Sequence, residues 1–434
     1  LIAGGGVWWQ QQPDFKPADQ SKFAFKLPDK PSIAVLPFNN MSGDASQDYL
    51  ADGLSENIIA VLATSPDLFV IARNSSFTYK GKAVKVQEVA EQLGVRYVLE
   101  GSVQQSGEKL RVTAQLVDAV DGKHLWAERY DRKLDDLFAM QDEITNKIFY
   151  EMHVKLTIGE RANDWQKHFG DPEGMRLHMK GFDRFLTFTL DGHQDAERIY
   201  GELYKKNPEG GMGNLDMGWI HWQKIVMGLT NDPKQSIKLG REFGEKAHAI
   251  MGDGGSLTLL AWFDLFEQDF ESAIENARRA TEISPSDGNT AAIAGTVYRN
   301  SGKSEESAIL LKRAMRLQPY HPKWYAWQLG ISLLVLEKYD EAEEIFEAVL
   351  KSDTEIVSDK YAALAGLAVI SVFRQNLENA EKYASQLREL VVYGKKFSIS
   401  VLAPIFGLMK DQEFAKSFLD ALQQLEVPEK PPSG

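Results

Sequence analysis

Residues 256–274 read SLTLLAWFDLFEQDFESAI, and this stretch is the strongest indication of the fold because its pattern returns further along the chain. The first copy continues to Ala277, Ala280 and Pro285. After about 34 residues, a period typical of helical-hairpin repeats, the pattern recurs as Gly295, Tyr298, Gly302, Ser307, Ala314 and Pro319. Small residues stand where two helices of a hairpin touch, and a proline follows the second helix. Because one hairpin cannot bury its apolar face alone, the repeat predicts an all-α solenoid of stacked hairpins.

The hairpins on either side of these two copies are less regular. Ala196, Tyr200 and Leu203 indicate the second helix of a degenerate first hairpin, and residues 210–251 indicate a longer second one. Two further hairpins are marked by Leu329, Gly330, Ala342 and Phe346 and by Ala368, Ala380, Ala384 and Leu387. The repeat domain is therefore expected to cover residues 175–394, followed by capping helices at 397–425 that cover the last apolar face.

Residues 31–160 have the pattern of an α/β domain. A short apolar run at Ser32–Phe38 predicts a buried strand, and residues 49–62 predict an amphipathic helix. Strands are expected at 95–103, 109–118 and 124–130, separated by the turn pairs Ser106-Gly107 and Asp121-Gly122. This spacing predicts an antiparallel meander within a mixed sheet. Gly94 is expected to end a short helix, and residues 137–156 to form the last helix or a connector to the repeats.

Four segments of this domain resemble a recurring bacterial module: PSIAVLPF (31–38), FVIARNSSFTYK (69–80), LGVRYVLEGSV (93–103) and HLWAERY (124–130). The module is similar to the amino-terminal domain of TolB, followed here by a pattern that resembles tetratricopeptide repeats. This combination is typical of the part that follows a single membrane span in bacterial class III adenylate or guanylate cyclases and in CadC-type transcription activators. The resemblance implies a non-catalytic ectodomain, since no stretch of the chain resembles a cyclase catalytic domain.

The first residues are consistent with a membrane anchor. Residues 1–9 (LIAGGGVWW) are apolar and end in two tryptophans, as at the interface end of a transmembrane helix. We expect them to be the last part of a truncated transmembrane helix, with a flexible glycine-rich start as the alternative. Residues 10–30 carry three prolines among polar residues and are expected to be a linker. The expected location is therefore inner-membrane anchored, with the soluble part in the periplasm.

Composition excludes several classes of function. The 434-residue chain has a net charge of −13 and no cysteine, which argues against a nucleic-acid partner and excludes disulfides and thiolate metal sites. No histidines pair at metal-ligand spacing on one helix, so no metal and no cofactor are expected. Gly302-Lys303-Ser304 lacks the rest of a phosphate-binding loop and is expected to be a turn between helices. No catalytic residue is assigned.

The concave face of the repeats is the first candidate binding surface. Positions two, five, nine and twelve of each first helix select Thr258, Trp262, Asn289, Ala292, Thr296, Arg299, Trp324, Trp327 and Ile331. Tryptophan and arginine dominate the binding energy of protein interfaces, so a protein or peptide partner is expected in this groove. The alternative, that these tryptophans pack between hairpins, stays open because a shift of one residue in the register exchanges the two interpretations.

The second candidate is a polar loop between the first strand and the first helix. Its polar residues are Asn39, Asn40, Ser42, Asp44 and Asp52. Carboxyl ends of strands and amino ends of helices often form ligand clefts. The same residue types also form turns and helix caps without any ligand.

We therefore expect a sensory or protein-interaction ectodomain that regulates a membrane-linked output domain, with a homodimer as a further expected association. A structural scaffold of the cell envelope is the alternative, and the ectodomain of a membrane-bound transcription activator is another. A nucleotide-binding or hydrolytic α/β domain is the least favoured class.

Overall fold

The structure, a computed structural model, describes residues 17–430 except 153–167, 353, 355 and 393. The chain forms two compact units, Leu1–Asn163 and Asp164–Gly434. Three sequence predictions lie wholly or partly outside the described residues: the end of a transmembrane helix at 1–9, the first part of the linker at 10–30, and the last part of the helix at 137–156.

The first unit is built on a mixed sheet. Its strands are β1 (Ser32–Val35), β2 (Asn39–Asn40), β3 (Phe69–Val70), β4 (Tyr97–Ser106), β5 (Lys109–Asp118) and β6 (Lys123–Lys133). They lie in the order β3-β1-β4-β5-β6, with β2 beside β4. β1 pairs in parallel with β3 and β4, whereas β4, β5 and β6 form the predicted antiparallel meander. Gly107 and Gly122 turn its hairpins with φ angles of +59° and +67°, which glycine adopts without steric cost.

The helices of this unit are α1 (Asp48–Ala63), α2 (Arg73–Ser76), α3 (Val86–Leu93) and α4 (Leu137–Glu151). The apolar side of α3 shares one core with Ala34 of β1 and Val98 of β4. Gly94 ends α3 in the left-handed conformation (φ +64°), as predicted. α4 packs against α1 and β6, and the buried amide of Asn57 donates to Gln141 Oε1 across 3.1 Å, so α4 belongs to the fold of this unit.

The second unit is a stack of helical hairpins. Its helices are α5 (Pro172–Phe185), α6 (Leu190–Lys206), α7 (Gly211–Val226), α8 (Pro233–Met251), α9 (Gly254–Phe266), α10 (Phe270–Ile283), α11 (Gly288–Asn300), α12 (Ser304–Leu317), α13 (Lys323–Val335), α14 (Tyr339–Lys351), α15 (Val357–Phe373) and α16 (Leu377–Glu389). Consecutive helices pair as antiparallel hairpins, and each hairpin packs on the next. The predicted all-α solenoid is confirmed, including the irregular hairpin at 210–251.

Small residues make the close contacts of this stack. Ala261, Ala277 and Ala294 are fully buried between neighbouring hairpins. A methyl group on Gly330 would lie 2.6 Å from the ring of Phe346. The recurring alanine and glycine positions of the sequence therefore mark points of helix contact, because a larger side chain would separate the helices.

Each hairpin turn contains one residue in the left-handed conformation. These residues are Phe188 (φ +50°), Gly228 (+65°), Gln268 (+61°), Gly302 (+80°), Glu337 (+57°) and Gln375 (+58°). Only two of the six are glycine, although the left-handed region costs other residues about 1 kcal/mol or more. The turn geometry is thus common to all six hairpins even where their sequences differ.

The chain ends with a short β-hairpin and two further helices. These are β7 (Val391–Val392), β8 (Lys395–Lys396), α17 (Ala403–Phe406) and α18 (Gln412–Gln424). α18 packs on α15, and Phe406 stacks on Phe418 with ring centroids 4.3 Å apart.

Candidate functional site

The first helices of the central hairpins, α9, α11 and α13, carry the residues predicted to line a groove. Of these, Thr296, Arg299 and Trp327 are buried. Trp262, Asn289 and Trp324 are half-buried. The neighbouring positions Thr258, Ala292 and Ile331 are also buried. The structure therefore leaves three of the nine predicted groove residues partly accessible, and contact of any of them with a partner stays a prediction.

Trp327 connects two hairpins through its indole. Its Nε1 donates a 3.0 Å hydrogen bond to Oδ1 of Asp359 on α15. The hydroxyl of Thr354 donates to the other oxygen of this carboxylate across 2.9 Å. Burial raises the pKa of Asp359 above its ordinary value, against the effect of these two donors. Trp327 thus occupies a packing position between hairpins.

Arg299 is an arginine buried inside the repeat unit. Its guanidinium donates to Oε1 of Gln328 and, across 3.5 Å, to Oδ1 of Asn300. Among the described residues no carboxylate lies within ion-pair distance of it. Burial without a counterion lowers the pKa of Arg299 to about 9. Its Nε has no hydrogen-bond partner in the described part of the chain.

Asn289 and Trp324 both contact Tyr325. The Tyr325 hydroxyl donates to Oδ1 of Asn289 at 2.6 Å and lies 2.7 Å from Oε1 of Gln318. Trp324 packs edge-on against the Tyr325 ring with centroids 4.4 Å apart. Both residues are therefore held in place by α13 while part of their surface stays exposed.

A strip of half-buried aromatic side chains crosses the first three hairpins, and Trp262 is the one member that the sequence predicts as a binding residue. We define this aromatic strip as Phe188, Trp219, Trp222, Trp262 and Phe266. Trp222 is its centre, with ring centroids 6.0 Å from Phe188, 5.4 Å from Trp219 and 5.5 Å from Trp262. The indole Nε1 of Trp222 has no hydrogen-bond partner among the described residues. The i, i+3 spacing of Trp219 and Trp222 on α7 is the feature of the sequence that indicates the aromatic strip.

Most side chains of the polar loop in the first unit are held by local hydrogen bonds, although Gln47 Oε1 and Asp52 Oδ1 are buried without a partner among the described residues. Asn40 Nδ2 donates to Asp48 Oδ1 across 2.7 Å, and Asn40 Oδ1 accepts from the Ser42 backbone. The Ser42 hydroxyl oxygen accepts from the backbone of Gln105. Asp44 caps a short helical turn by accepting from the Ser46 backbone, and Asn39 is exposed on β2. These contacts form turns and caps, which is the alternative that the sequence left open.

The 73–80 stretch, quoted above for its family resemblance, binds one face of α1. Arg73 Nε lies 2.7 Å from Glu56 Oε2, and Lys80 pairs with Asp52 and Asp48. Burial raises the pKa of Asp52, and Lys80 opposes that shift. Because Asp48, Asp52 and Glu56 recur every fourth residue, they form one acidic side of α1. The contacts give this stretch a structural role.

The described residues of both units can be compared with the expectations for metal ligands, a phosphate-binding loop and a membrane span. No three acidic or histidine side chains converge as metal ligands among those residues. Gly302 and Lys303 lie in the turn between α11 and α12, as predicted. None of the described helices combines the length and apolarity needed to cross a bilayer.

Two family models match parts of the chain. The HilA/YgeH-like transcriptional regulator, second domain, matches residues 29–147, and a tetratricopeptide repeat model matches residues 328–390. A curated relative from Rhizobium meliloti (strain 1021), named Putative adenylate cyclase 3, is 45% identical over 206 residues. That alignment covers 48% of this chain and 34% of the relative, so the match spans about a third of the relative's length.

Similar solved structures include PilF of Pseudomonas aeruginosa, at 13% identity over 50% of this chain and 93% of that chain, with a TM-score of 0.36. TolB from Acinetobacter baumannii is 20% identical over 30% of each chain, with a TM-score of 0.23. YrrB, described as a TPR protein with an unusual peptide-binding site, is 16% identical over 50% of this chain and 95% of that chain, with a TM-score of 0.29. Residues 29–147 are thus similar to the second domain of HilA/YgeH-like regulators, and residues 328–390 are similar to tetratricopeptide repeats.

Proposed function

We propose that this chain is the non-catalytic regulatory region of a longer protein, and that it controls an adenylate or guanylate cyclase domain upstream of it. The observation that carries this proposal is the 45% identity over 206 residues to the putative adenylate cyclase of Rhizobium meliloti. Because the alignment covers only 34% of that relative, we assign the cyclase reaction to the remainder of the longer protein.

The regulatory input is proposed to be a protein or peptide that binds the repeat unit. The tetratricopeptide match at 328–390 supports this assignment, since stacked repeats present extended concave surfaces to their partners. The aromatic strip supports it as well, because half-buried tryptophans contribute strongly to binding energy at interfaces. The bound state would reach the output domain through a change in domain orientation or in dimerisation, which the partner favours by binding one state more tightly.

Cyclic-nucleotide synthesis by the longer protein tests this function. We expect the isolated chain to form no cyclic AMP and the Trp222→Ala/Trp262→Ala variant of the longer protein to change its rate about fivefold or more, in the range of ordinary allosteric coupling. Ile309→Ala is the matched control, since Ile309 is exposed outside the strip. Equal rates of cyclic-nucleotide synthesis in the unsubstituted longer protein, the double tryptophan variant and the Ile309→Ala control would contradict regulation by the repeats. Synthesis by the isolated chain would contradict its non-catalytic role.

The proposed location is the periplasmic side of the inner membrane. The apolar residues 1–9 with their paired tryptophans support an anchor there. Fusions of alkaline phosphatase and of β-galactosidase to the carboxyl end of the longer protein distinguish the two sides, since phosphatase needs disulfides that form in the periplasm. We expect an active phosphatase fusion and an inactive galactosidase fusion. The reverse pattern would place the chain in the cytoplasm.

A membrane-bound transcription activator is the second candidate output. The match of residues 29–147 to the second domain of HilA/YgeH-like regulators favours it. Deleting the longer protein would then change the transcription of target genes and leave cyclic-nucleotide levels constant. The cyclase proposal expects the opposite result from the same strain.

A further inference from the structure

The segment between β8 and α18 is long, apolar and buried. We define residues 398–410 as the C-terminal strap; residues 398–409 read SISVLAPIFGLM and carry no charged side chain. Ile399, Leu402, Phe406 and Met409 are buried. A connection between surface elements ordinarily runs over the surface and is polar, so the strap has the composition of a segment that occupies a binding site.

The strap reaches back along the stack to hairpins far from its own position. α17, within the strap, contacts α7 of the second hairpin. At the end of the strap, the backbone N–H of Lys410 donates to the carbonyl oxygen of Asn300 on α11 across 2.7 Å. The Lys410 ammonium lies 5.7 Å from the ring centroid of Phe270. The strap thus contacts three hairpins that precede the last two in the chain.

The strap contacts two of the first helices that line the concave face of the stack, α7 through α17 and α11 at Asn300. Leu402, Phe406 and Met409 belong to one hydrophobic core with Trp327 and Ile331. On α11 the predicted groove positions Ala292, Thr296 and Arg299 are all buried, and Arg299 donates to Gln328 of the next first helix, α13. The strap therefore lies where a partner of the repeats would be expected.

We propose that the strap is an intramolecular occupant of the repeat groove and that the partner is a short amphipathic segment of the same kind, which takes its place. Leu402, Phe406 and Met409 are buried apolar side chains of the strap, and residues 403–406 form one short helical turn. The partner would therefore present three apolar anchors and few charges. This inference depends on the proposed role of the repeats as a binding surface.

The strap can leave the groove while its outer end stays attached to the cap. Ile399 and Ser400 donate backbone hydrogen bonds to the carbonyls of Pro428 and Glu429. Phe406, which stacks on Phe418 of α18, would lose that contact when the strap is released. The described polar contact with α11 is a single backbone one, made by Lys410. Release of residues 402–410 would thus break mainly apolar contacts.

Amide hydrogen exchange on the whole chain is the first test. The amides of Leu402, Ile405 and Phe406 are hydrogen-bonded within the strap. We expect them to exchange at least about tenfold faster than the amides of α11 and α15, because local opening needs less free energy than global unfolding. Exchange of strap and helices at one common rate would show that the strap is a permanent part of the core and would overturn the proposal.

A peptide in trans is the second test. A fluorescein-labelled peptide of residues 397–411 is titrated onto the whole chain, its Leu402→Asp variant and its Ser400→Asp variant. Leu402 is buried and Ser400 is exposed, so the same charge enters the strap at a buried and at an exposed position. We expect Leu402→Asp to bind the peptide at least about tenfold more tightly than the other two, because the competing strap is displaced.

Equal affinities in the three proteins, or loss of cooperative unfolding in Leu402→Asp, would overturn the proposal. Neither readout uses an external partner or the output domain. A failure here is therefore distinguishable from a failure of the proposed regulatory function, which is measured by cyclic-nucleotide synthesis.

Discussion

At the residue scale, His221 is a buried imidazole with a clear consequence for stability. It stacks on Phe243 with ring centroids 5.8 Å and planes 21° apart. Burial, with a smaller contribution from Lys224, lowers the pKa of His221 from 6.5 to about 4. The unfolded chain therefore binds this proton at a higher pH than the folded chain. Lowering the pH from 6.5 to 4 should remove up to about 3 kcal/mol from the free energy of unfolding.

His221→Phe should remove this component, because phenylalanine keeps the ring and cannot take up a proton. Urea unfolding at pH 7 and at pH 4.5 measures it. We expect the variant to lose less stability than the wild type between these two pH values. The same loss in both proteins would contradict a depressed pKa at this position.

The hydrogen bond from Trp327 to Asp359 is the second residue-scale prediction. Trp327→Phe leaves a buried carboxylate without one of its two donors and should lower the free energy of unfolding by about 1–3 kcal/mol. Trp324→Phe is the control, since Trp324 is half-buried and contacts Tyr325 through its ring. The two variants are compared by thermal or urea unfolding. Equal losses would mean that the bond to Asp359 contributes little.

At the scale of helices, two glycines distinguish close packing from free surface. A methyl group on Gly240 of α8 would lie 2.1 Å from the ring of Phe263 on α9, whereas one on Gly201 of α6 meets no atom within 4 Å. Gly240→Ala should therefore destabilise the repeat unit by about 1–3 kcal/mol through overpacking. Gly201→Ala should stabilise it by about 0.5–1 kcal/mol, since alanine favours the helix. Urea unfolding of both variants measures whether the free energy of unfolding falls in Gly240→Ala and rises in Gly201→Ala.

The regularity of the hairpins determined how much of the fold the sequence could predict. Gln268, Gly302 and Glu337 lie 34 and 35 positions apart, and the copies that these turns divide were recognised from the sequence. Phe188, Gly228 and Gln268 lie 40 positions apart, so the same period misses the first two hairpins. Their helices were still predictable from helical periodicity, but their register was not.

The strap explains why the binding face was harder to predict than the helices. The register correctly assigned Thr296 and Arg299 to a first helix, but it could not predict the segment that meets α11 at Lys410, 110 positions after Asn300. No local pattern relates residues so far apart. The aromatic strip was missed for a similar reason, since three of its members come from the irregular hairpins.

At the scale of the whole molecule, the net charge of −13 leads to a prediction about nucleic acid. Affinity for duplex DNA comes largely from lysine and arginine that replace counterions at the phosphates. We expect the isolated chain to leave the mobility of a duplex of about 30 base pairs unchanged at about 0.15 M salt, where even nonspecific binders retain weak affinity. A saturable mobility shift would contradict this. An unchanged mobility also bears on the activator hypothesis. In that case DNA contact by the activator would belong to another part of the longer protein.

The left-handed turn residue shared by all six hairpins has a consequence for how this protein can evolve. Every hairpin turn has the same left-handed backbone geometry. Duplication or loss of the gene segment between two successive turns therefore adds or removes one helix pair without disturbing the neighbouring helices. Homologous proteins should therefore differ in length by whole helix pairs. The terminal segment that folds back on the stack is the exception, because any such change would alter the distance that it has to reach.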